Sequence, residues 1–270
     1  MVTSMAVARL ECVDLDQILD ATLKGGGTGR LEISQLKIKC SDCSLRELCL
    51  PIGLGPPEMQ QLDELVKTRR KLKRGEYLYR SSQPFHALYA IRLGFFKTYD
   101  SSPDGREQIT GFYMAGELLG MDAISTDSHS CDAVALEDSE LCEIPFTALE
   151  QLSREIPMLQ RQFHRIMSRE IMREHGLMML LGNMNADERV ATFLLNLSQR
   201  FKERGYSERR FNLRMTRSDI GMYLGLKLET VSRTLSKFRD DGIIYIDNRD
   251  IEIRDLAALR RLTQRDECGN

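Results

Sequence analysis

The sequence predicts an α+β chain, and three successive textures predict it. Short apolar runs cut by turn residues fill residues 73 to 145; one unbroken helical period covers residues 156 to 182; two short helices and a hairpin follow, inside a basic block. A chain of 270 residues is long enough for two domains, each burying its own core. Charged residues make up 29% and hydrophobic ones 42%, an ordinary water-soluble composition. No run approaches the roughly 18 consecutive apolar residues of a membrane span. The opening "MVTSMAVARLECVDLD" has no basic start and meets acids early, so it does not read as a secretory signal. The expectation is a cytoplasmic protein with reduced thiols. An odd total of seven cysteines also argues against a fully paired disulfide framework.

Residues 1–39 form an N-terminal extension with a short amphipathic stretch and the run "KGGGTGR". That run lacks the Gly-Lys-Ser/Thr ending of a phosphate loop and reads as a flexible linker. Residues 40–155 hold a cysteine-rich loop and then "YLYR", "ALYAIR", "FFKTYD", "EQITGFYM" and "DAVALE", separated by "KRGE", "SSQP", "SPDG" and "MAGE". Regular short strands with such punctuation predict a small β-barrel or sandwich. His86 and His129 stand alone and read as structural. No nucleophile–base pair stands out, so no enzyme is expected.

Residues 156–182 follow the 3.6 period, with Pro157 near the start. One stripe runs Leu159, Phe163, Met167, Ile171, Glu174, Met178, Leu181, every step a three or a four. The flanking Ile166, Leu177 and Leu180 widen it. A helix this long and Met-rich is expected to pair with a second copy of itself, making a homodimer. Two-fold symmetry would then bring two Glu174 carboxylates near one seam, where they repel. Met167, Ile171, Glu174 and Met178 are the residues expected to tune that dimer.

Residues 183–270 begin with a helix that Asn185 and Glu188 cap in the manner of a capping box. Thr216 and Asp219 start a short helix, Gly225 makes the turn, "LETVSRTLSKFRDDG" is a second helix stopped by Gly242, and "IIYIDNRDIEI" reads as a hairpin. Helix, tight turn, helix, hairpin is a winged helix-turn-helix. Between Gln199 and Arg239 stand eleven Lys or Arg against four acids, a net +7 inside an acidic chain. On charge alone such a block is either the footprint of a phosphate-binding surface or a solvated basic face; with the turn and the wing it points to double-stranded DNA. Val231, Leu235 and Phe238 have the spacing of the inward face. Glu229, Ser232 and Arg233 fall on the other side and are the expected base readers: Arg matches the two guanine acceptors, and a carboxylate accepts from the cytosine amino group. Arg217, Lys227 and Thr230 are better placed for phosphates. The competing reading of Glu229 and Arg233 is an ordinary i, i+4 salt bridge.

The stretch "CSDCSLRELC" places Cys40, Cys43 and Cys49 within ten residues. Spacing alone leaves iron–sulfur, zinc, or three plain thiols open, although no second Cys-x-x-Cys pair accompanies them. The motifs "CSDCSLRELCLP", "EQITGFYMAGELLG", "LCEIPF", "IMSREI", "NADERVATFLLNLSQRF" and "MTRSDIGMYLGLKLETVSR" resemble those of the FNR-type oxygen-responsive regulators of the CRP/FNR superfamily. The resemblance runs from about Cys40 to about Leu262.

It implies an N-terminal β-roll, a jelly roll like those that bind cyclic nucleotides, followed by the dimerisation helix and the winged helix-turn-helix. It implies a [4Fe–4S] cluster on Cys40, Cys43, Cys49 and Cys142, intact without oxygen and promoting dimerisation on a TTGAT–N4–ATCAA-like site. It also implies contacts with RNA polymerase through exposed β-roll loops such as the one around Ser101 to Arg106. Cyclic-nucleotide-binding relatives place an Arg-Ser pair after the Gly-Glu of the β-roll. Here Gly116 and Glu117 are followed by no Arg, so no nucleotide effector is expected. Leu48 is expected to shield the cluster, with Ser41, Asp42 and Ser44 tuning it. Cys12, Cys131 and Cys268 do not fall at the family's ligand positions. The remaining alternative keeps DNA binding and gives the cysteines zinc, nitric oxide or a redox signal.

Overall fold

Eight strands occupy the region where turn residues punctuate the apolar runs. In the computed structural model, which describes residues 39–66, 68–102 and 104–263, they are β1 (Thr68–Leu72), β2 (Tyr77–Tyr79), β3 (Ala87–Leu93), β4 (Phe95–Ser101), β5 (Glu107–Met114), β6 (Leu118–Leu119), β7 (Asp132–Ala135) and β8 (Ser139–Pro145). The amphipathic stretch and glycine run of the extension, together with Cys12 and Cys268, lie outside the described residues. The strands make two antiparallel sheets, ordered β1-β8-β3-β6 and β2-β7-β4-β5. Leu78, Phe96, Ala133 and Leu141 fill the space between them. Along β5 the exposed Gln108 and Thr110 alternate with the buried Ile109 and Gly111, as a half-buried strand requires.

Two helices flank the sandwich that the apolar pattern did not reveal. Helix α1 (Pro56–Leu65) precedes β1, and α2 (Phe146–Glu155) follows β8. Only Leu62 is buried on α1, and only Leu149 and Ser153 on α2, so neither carries a stripe long enough to read. The long helix α3 spans Pro157–Asn183, with Ile156 as its N-cap. Leu159, Gln162 and Leu180 are buried, whereas Ile171, Met172, Met178 and Met179 are each more than half exposed.

The C-terminal part comprises α4 (Ala186–Glu203), β9 (Arg210–Asn212), α5 (Arg217–Leu224), α6 (Leu228–Asp240), β10 (Ile244–Asp247), β11 (Asp250–Ile253) and α7 (Leu256–Arg261). The expected capping boxes form. Asn185 accepts from the Glu188 amide at 3.1 Å, Thr216 accepts from the Asp219 amide at 3.0 Å, and each acid reaches back to its cap. Gly225 ends α5 in the left-handed conformation. Gly221 lets the next segment close on α5, since a Cβ there would lie 2.6 Å from the Leu226 carbonyl oxygen. Val231, Leu235 and Phe238 are buried in the core of this unit. The hairpin is a three-stranded sheet, because β9 adds to β11 from within the polar run "YSERRFNLRM".

Charged and aromatic contacts join this unit to the sandwich. Lys97 of β4 meets Asp219 of α5 at 2.7 Å. Glu117 accepts from Arg200 of α4 and from Arg204 at its C-cap, at 2.7 and 2.6 Å, with Arg173 of α3 at 3.8 Å. Phe112 packs against Phe193 and Tyr223.

Candidate functional site

Two features carry chemistry: a thiol-lined pocket and the outer face of α6. The pocket begins with a 3-10 turn, Cys40–Asp42, followed by a chain of tight turns. The Cys43 amide donates to the Cys40 carbonyl at 3.1 Å and the Cys49 amide to that of Leu45 at 3.1 Å. Asp63 of α1 anchors the turn from outside, accepting from the Cys40 amide at 2.5 Å and from the Ser41 hydroxyl at 3.0 Å. At the other end, Gln162 of α3 donates to the Cys49 carbonyl at 3.3 Å. Cys142 comes from mid-β8, in register with Arg69 of β1 on one side and Ala90 of β3 on the other.

All four thiols line one pocket with Leu45, Leu50, Pro51, Ile144, Arg69 and Arg92. Burial pushes the Cys40 thiol up to about 12, helped by repulsion from Cys49, Cys142, Asp63 and Cys43. Burial likewise pushes Cys49 up to about 12. It also raises Cys142, against the opposing pull of Arg69 and Arg92. Burial thus favours the protonated form of Cys40, Cys49 and Cys142, and a metal bound there would displace their protons. Among the described residues no three His, Cys, Asp or Glu side chains are gathered as closely as a single metal ion requires.

The other singled-out residues of this region divide. Leu48 packs over Gly116, where a Cβ would lie 3.0 Å from its own, and it lines the neighbouring cleft, not the thiol pocket. Leu45 and Leu50 hold the shielding positions inside the pocket. Ser41 is tied to Asp63, while Asp42 and Ser44 face solvent. Cys131 belongs to the sandwich core, its thiol 3.7 Å from Asp122 and raised first by burial and then by that carboxylate.

On α6, Glu229, Thr230, Ser232 and Arg233 line one shallow groove together with the exposed Leu228. Lys227 caps the helix and faces solvent, and Arg217 reaches across from α5 to within 3.5 Å of the Ser232 hydroxyl. No ion pair joins Glu229 to Arg233 among the described residues, so both head groups are free to meet a ligand. Part of the basic block turns inward. The side chains of Arg200 and Arg204 are only 12% and 4% exposed and belong to Glu117, leaving a smaller outward charge than the count of +7 implies. Along α3, Met167 is half-buried and Ile171, Glu174 and Met178 are exposed.

Sequence reasoning missed Asp63, Gln162 and the arginines around Glu117. "GE" in "MAGELLG" was a signal for the last, but nothing in one dimension tells which arginines find it.

Fold and site together define a winged helix-turn-helix protein that carries a cyclic-nucleotide-binding type of β domain. The family model for a cyclic nucleotide-binding domain matches residues 69–155, and that for a Crp-like helix-turn-helix domain matches residues 188–262. The chain is 47% identical over 220 residues to the transcriptional activator protein anr of Pseudomonas aeruginosa, covering 82% of this chain and 90% of that one. It is 43% identical over 233 residues to the fumarate and nitrate reduction regulatory protein of Escherichia coli K12, covering 86% and 93%. The solved structure of FixK2 from Bradyrhizobium japonicum superposes with a TM-score of 0.68 at 32% identity, over 73% of this chain and 97% of that one. The chain belongs to the FNR-type branch of the CRP/FNR superfamily of transcription regulators.

Proposed function

We propose that this protein is an oxygen-sensing transcription regulator in which a [4Fe–4S] cluster, held by Cys40, Cys43, Cys49 and Cys142, governs homodimerisation and DNA binding. The observation that carries the reading is the convergence of three loop thiols and one distant strand thiol on a single apolar-walled pocket. A thiolate-only donor set suits iron–sulfur clusters and zinc alike. The names of the regulators to which the chain is similar favour the iron–sulfur reading over zinc. When bound, the cluster supplies oxygen-labile iron–sulfur bonds.

The chain's own residues do the rest. Leu45, Leu50 and Ile144 keep water from the thiols, and Leu48 closes the Gly116 side; Ser41, Asp42 and Ser44 tune the loop. The exposed Ile171, Met172, Met178 and Met179 of α3 supply the surface that a second copy covers, with Met167 at its edge and Glu174 setting it near its limit of stability. Pairing places two α6 helices one DNA turn apart. Glu229, Ser232 and Arg233 then read bases of a TTGAT–N4–ATCAA-like site, while Arg217, Lys227 and Thr230 hold phosphates.

The working division is an extension at 1–39, the sensor at 40–155, the dimer helix at 156–182 and the DNA-binding unit at 183–270, in a cytoplasmic setting. The names of the relatives, with "anaerobic regulatory protein" of Pasteurella multocida among them, support control of anaerobic genes. RNA polymerase contacts fall to sandwich loops such as residues 101–106. Glu117 is already held by arginines, and no Arg follows it to grip a phosphate, which supports regulation without a cyclic nucleotide.

The test is an absorption spectrum with iron and sulfide assays on protein purified without oxygen, before and after air. About four irons and four sulfides per chain, bleaching in air together with loss of specific DNA retention, is the expected result. A colourless protein carrying zinc would remove the sensor and leave the DNA-binding half standing.

A further inference from the structure

Gln162 is a polar side chain only 2% exposed, on the same helix as Leu159, which packs in an apolar cluster with Leu50, Leu62 and Ile144. A buried amide needs a reason, because its donors must be satisfied or they oppose folding. Its one hydrogen bond among the described residues goes to the backbone carbonyl of Cys49, across 113 positions of sequence. Cys49 is a wall of the thiol pocket, and Gln162 stands in the second turn of the long helix, nine residues before Ile171 opens the exposed apolar stretch. That is about 14 Å along one rigid element. The other end of the cysteine loop is pinned differently. Asp63, on α1, accepts from Cys40 and Ser41, and among the described residues it shares no hydrogen bond or ion pair with α3.

We infer that Gln162 is a positioning residue that couples the cysteine loop to the dimer helix through the Cys49 carbonyl. The inference rests on the functional reading above and deepens it. When the loop is seated, the amide is satisfied and α3 is held at its N-terminal end in one orientation. When the loop leaves, a buried donor loses its acceptor, a change worth roughly a factor of ten in the balance between two positions of α3. Asp63 acts separately, seating the first cysteine without reporting to the helix.

The experiment compares full-length wild type with Gln162→Met, which keeps the volume and removes the donor, and with Gln162→Glu, which keeps the shape and replaces the donor by an acceptor. For each, sedimentation gives the dimer dissociation constant with the cluster intact and after air, and iron, sulfide and visible absorption are measured on the same samples. The ratio of the two constants is the coupling. Packing alone would move both constants together and leave the ratio unchanged.

The expected result is wild-type iron and spectrum in both variants, with the ratio reduced about tenfold. Asp63→Asn should show the opposite pattern, faster loss of iron in air with the wild-type ratio between the cluster-intact and air-exposed constants. An unchanged ratio in both Gln162 variants overturns the inference, as does a ratio that falls only in step with lost iron. Wild type without iron, or with one dimer constant in both states, overturns the functional reading itself and this inference with it.

Discussion

The cysteine loop and the reading helix are both built to meet something outside the fold, by opposite means. Helix α6 has Val231, Leu235 and Phe238 buried beneath it, and its outward residues need only point away from that core. Their chemistry is local, and 3.6 residues per turn places them. The cysteine loop has only a 3-10 turn and a run of tight turns of its own. It gains its geometry from borrowed partners: Asp63 of α1, Gln162 of α3 and Cys142 of β8. A surface that must read a fixed pattern is rigid, and a segment that must change state is held by few contacts that can be released.

The most severe way to test that contrast is to remove the strand-borne thiol. Cys142→Ser should abolish iron incorporation, while Cys131→Ser, whose thiol faces the sandwich core and not the pocket, should retain it in full; iron and sulfide assays on anaerobic protein decide. Iron retained by Cys142→Ser would mean that the loop builds its site without borrowing. Next in size is the rigid side. Gly221→Ala drives a methyl group to 2.6 Å from the Leu226 carbonyl oxygen. It should cost about 1–3 kcal/mol by overpacking, seen as a lower urea midpoint, and should weaken DNA binding without changing iron content.

A narrower test touches one base pair. Arg233→Ala should lose about 1–3 kcal/mol at its guanine and relax specificity there. Equal weakening on all sequences, measured by competition with single-base variants, would make Arg233 a phosphate contact. The smallest expected effect lies between the two regions. Glu174→Ala removes one like-charge pair from the proposed seam, worth about 0.2–1 kcal/mol, and should shift aerobic protein towards dimer in sedimentation. A strictly monomeric variant in air would count against the seam.

The same contrast explains what could be read from one dimension. The caps at Asn185 and Thr216, the turn at Gly225, the buried triplet of α6 and the long helix were all visible, because each depends on neighbours within a few residues. Helices α1 and α2 were hidden, since each buries one or two side chains and shows no stripe. Strand β9 was hidden because it is short, polar and justified only by pairing with β11. In the candidate site the three loop cysteines announced themselves by spacing, whereas Cys142 came from resemblance alone. Asp63, Gln162 and the arginines of Glu117 are ordinary residue types, and their meaning lies in contacts 22 to 113 positions away.

Cys142 sits in the middle of β8, hydrogen-bonded between two neighbouring strands, and its position does not depend on the loop that faces it. On the proposed reading this bears on recovery after an episode of oxygen. One wall of the pocket stays in place throughout, and what must return is a stretch of ten residues from Cys40 to Cys49. A segment that short finds its closed form in about 10–100 ns. Re-arming is therefore paced by the supply of iron and sulfide and by the concentration-dependent re-pairing of two chains, about milliseconds to minutes, and not by the loop.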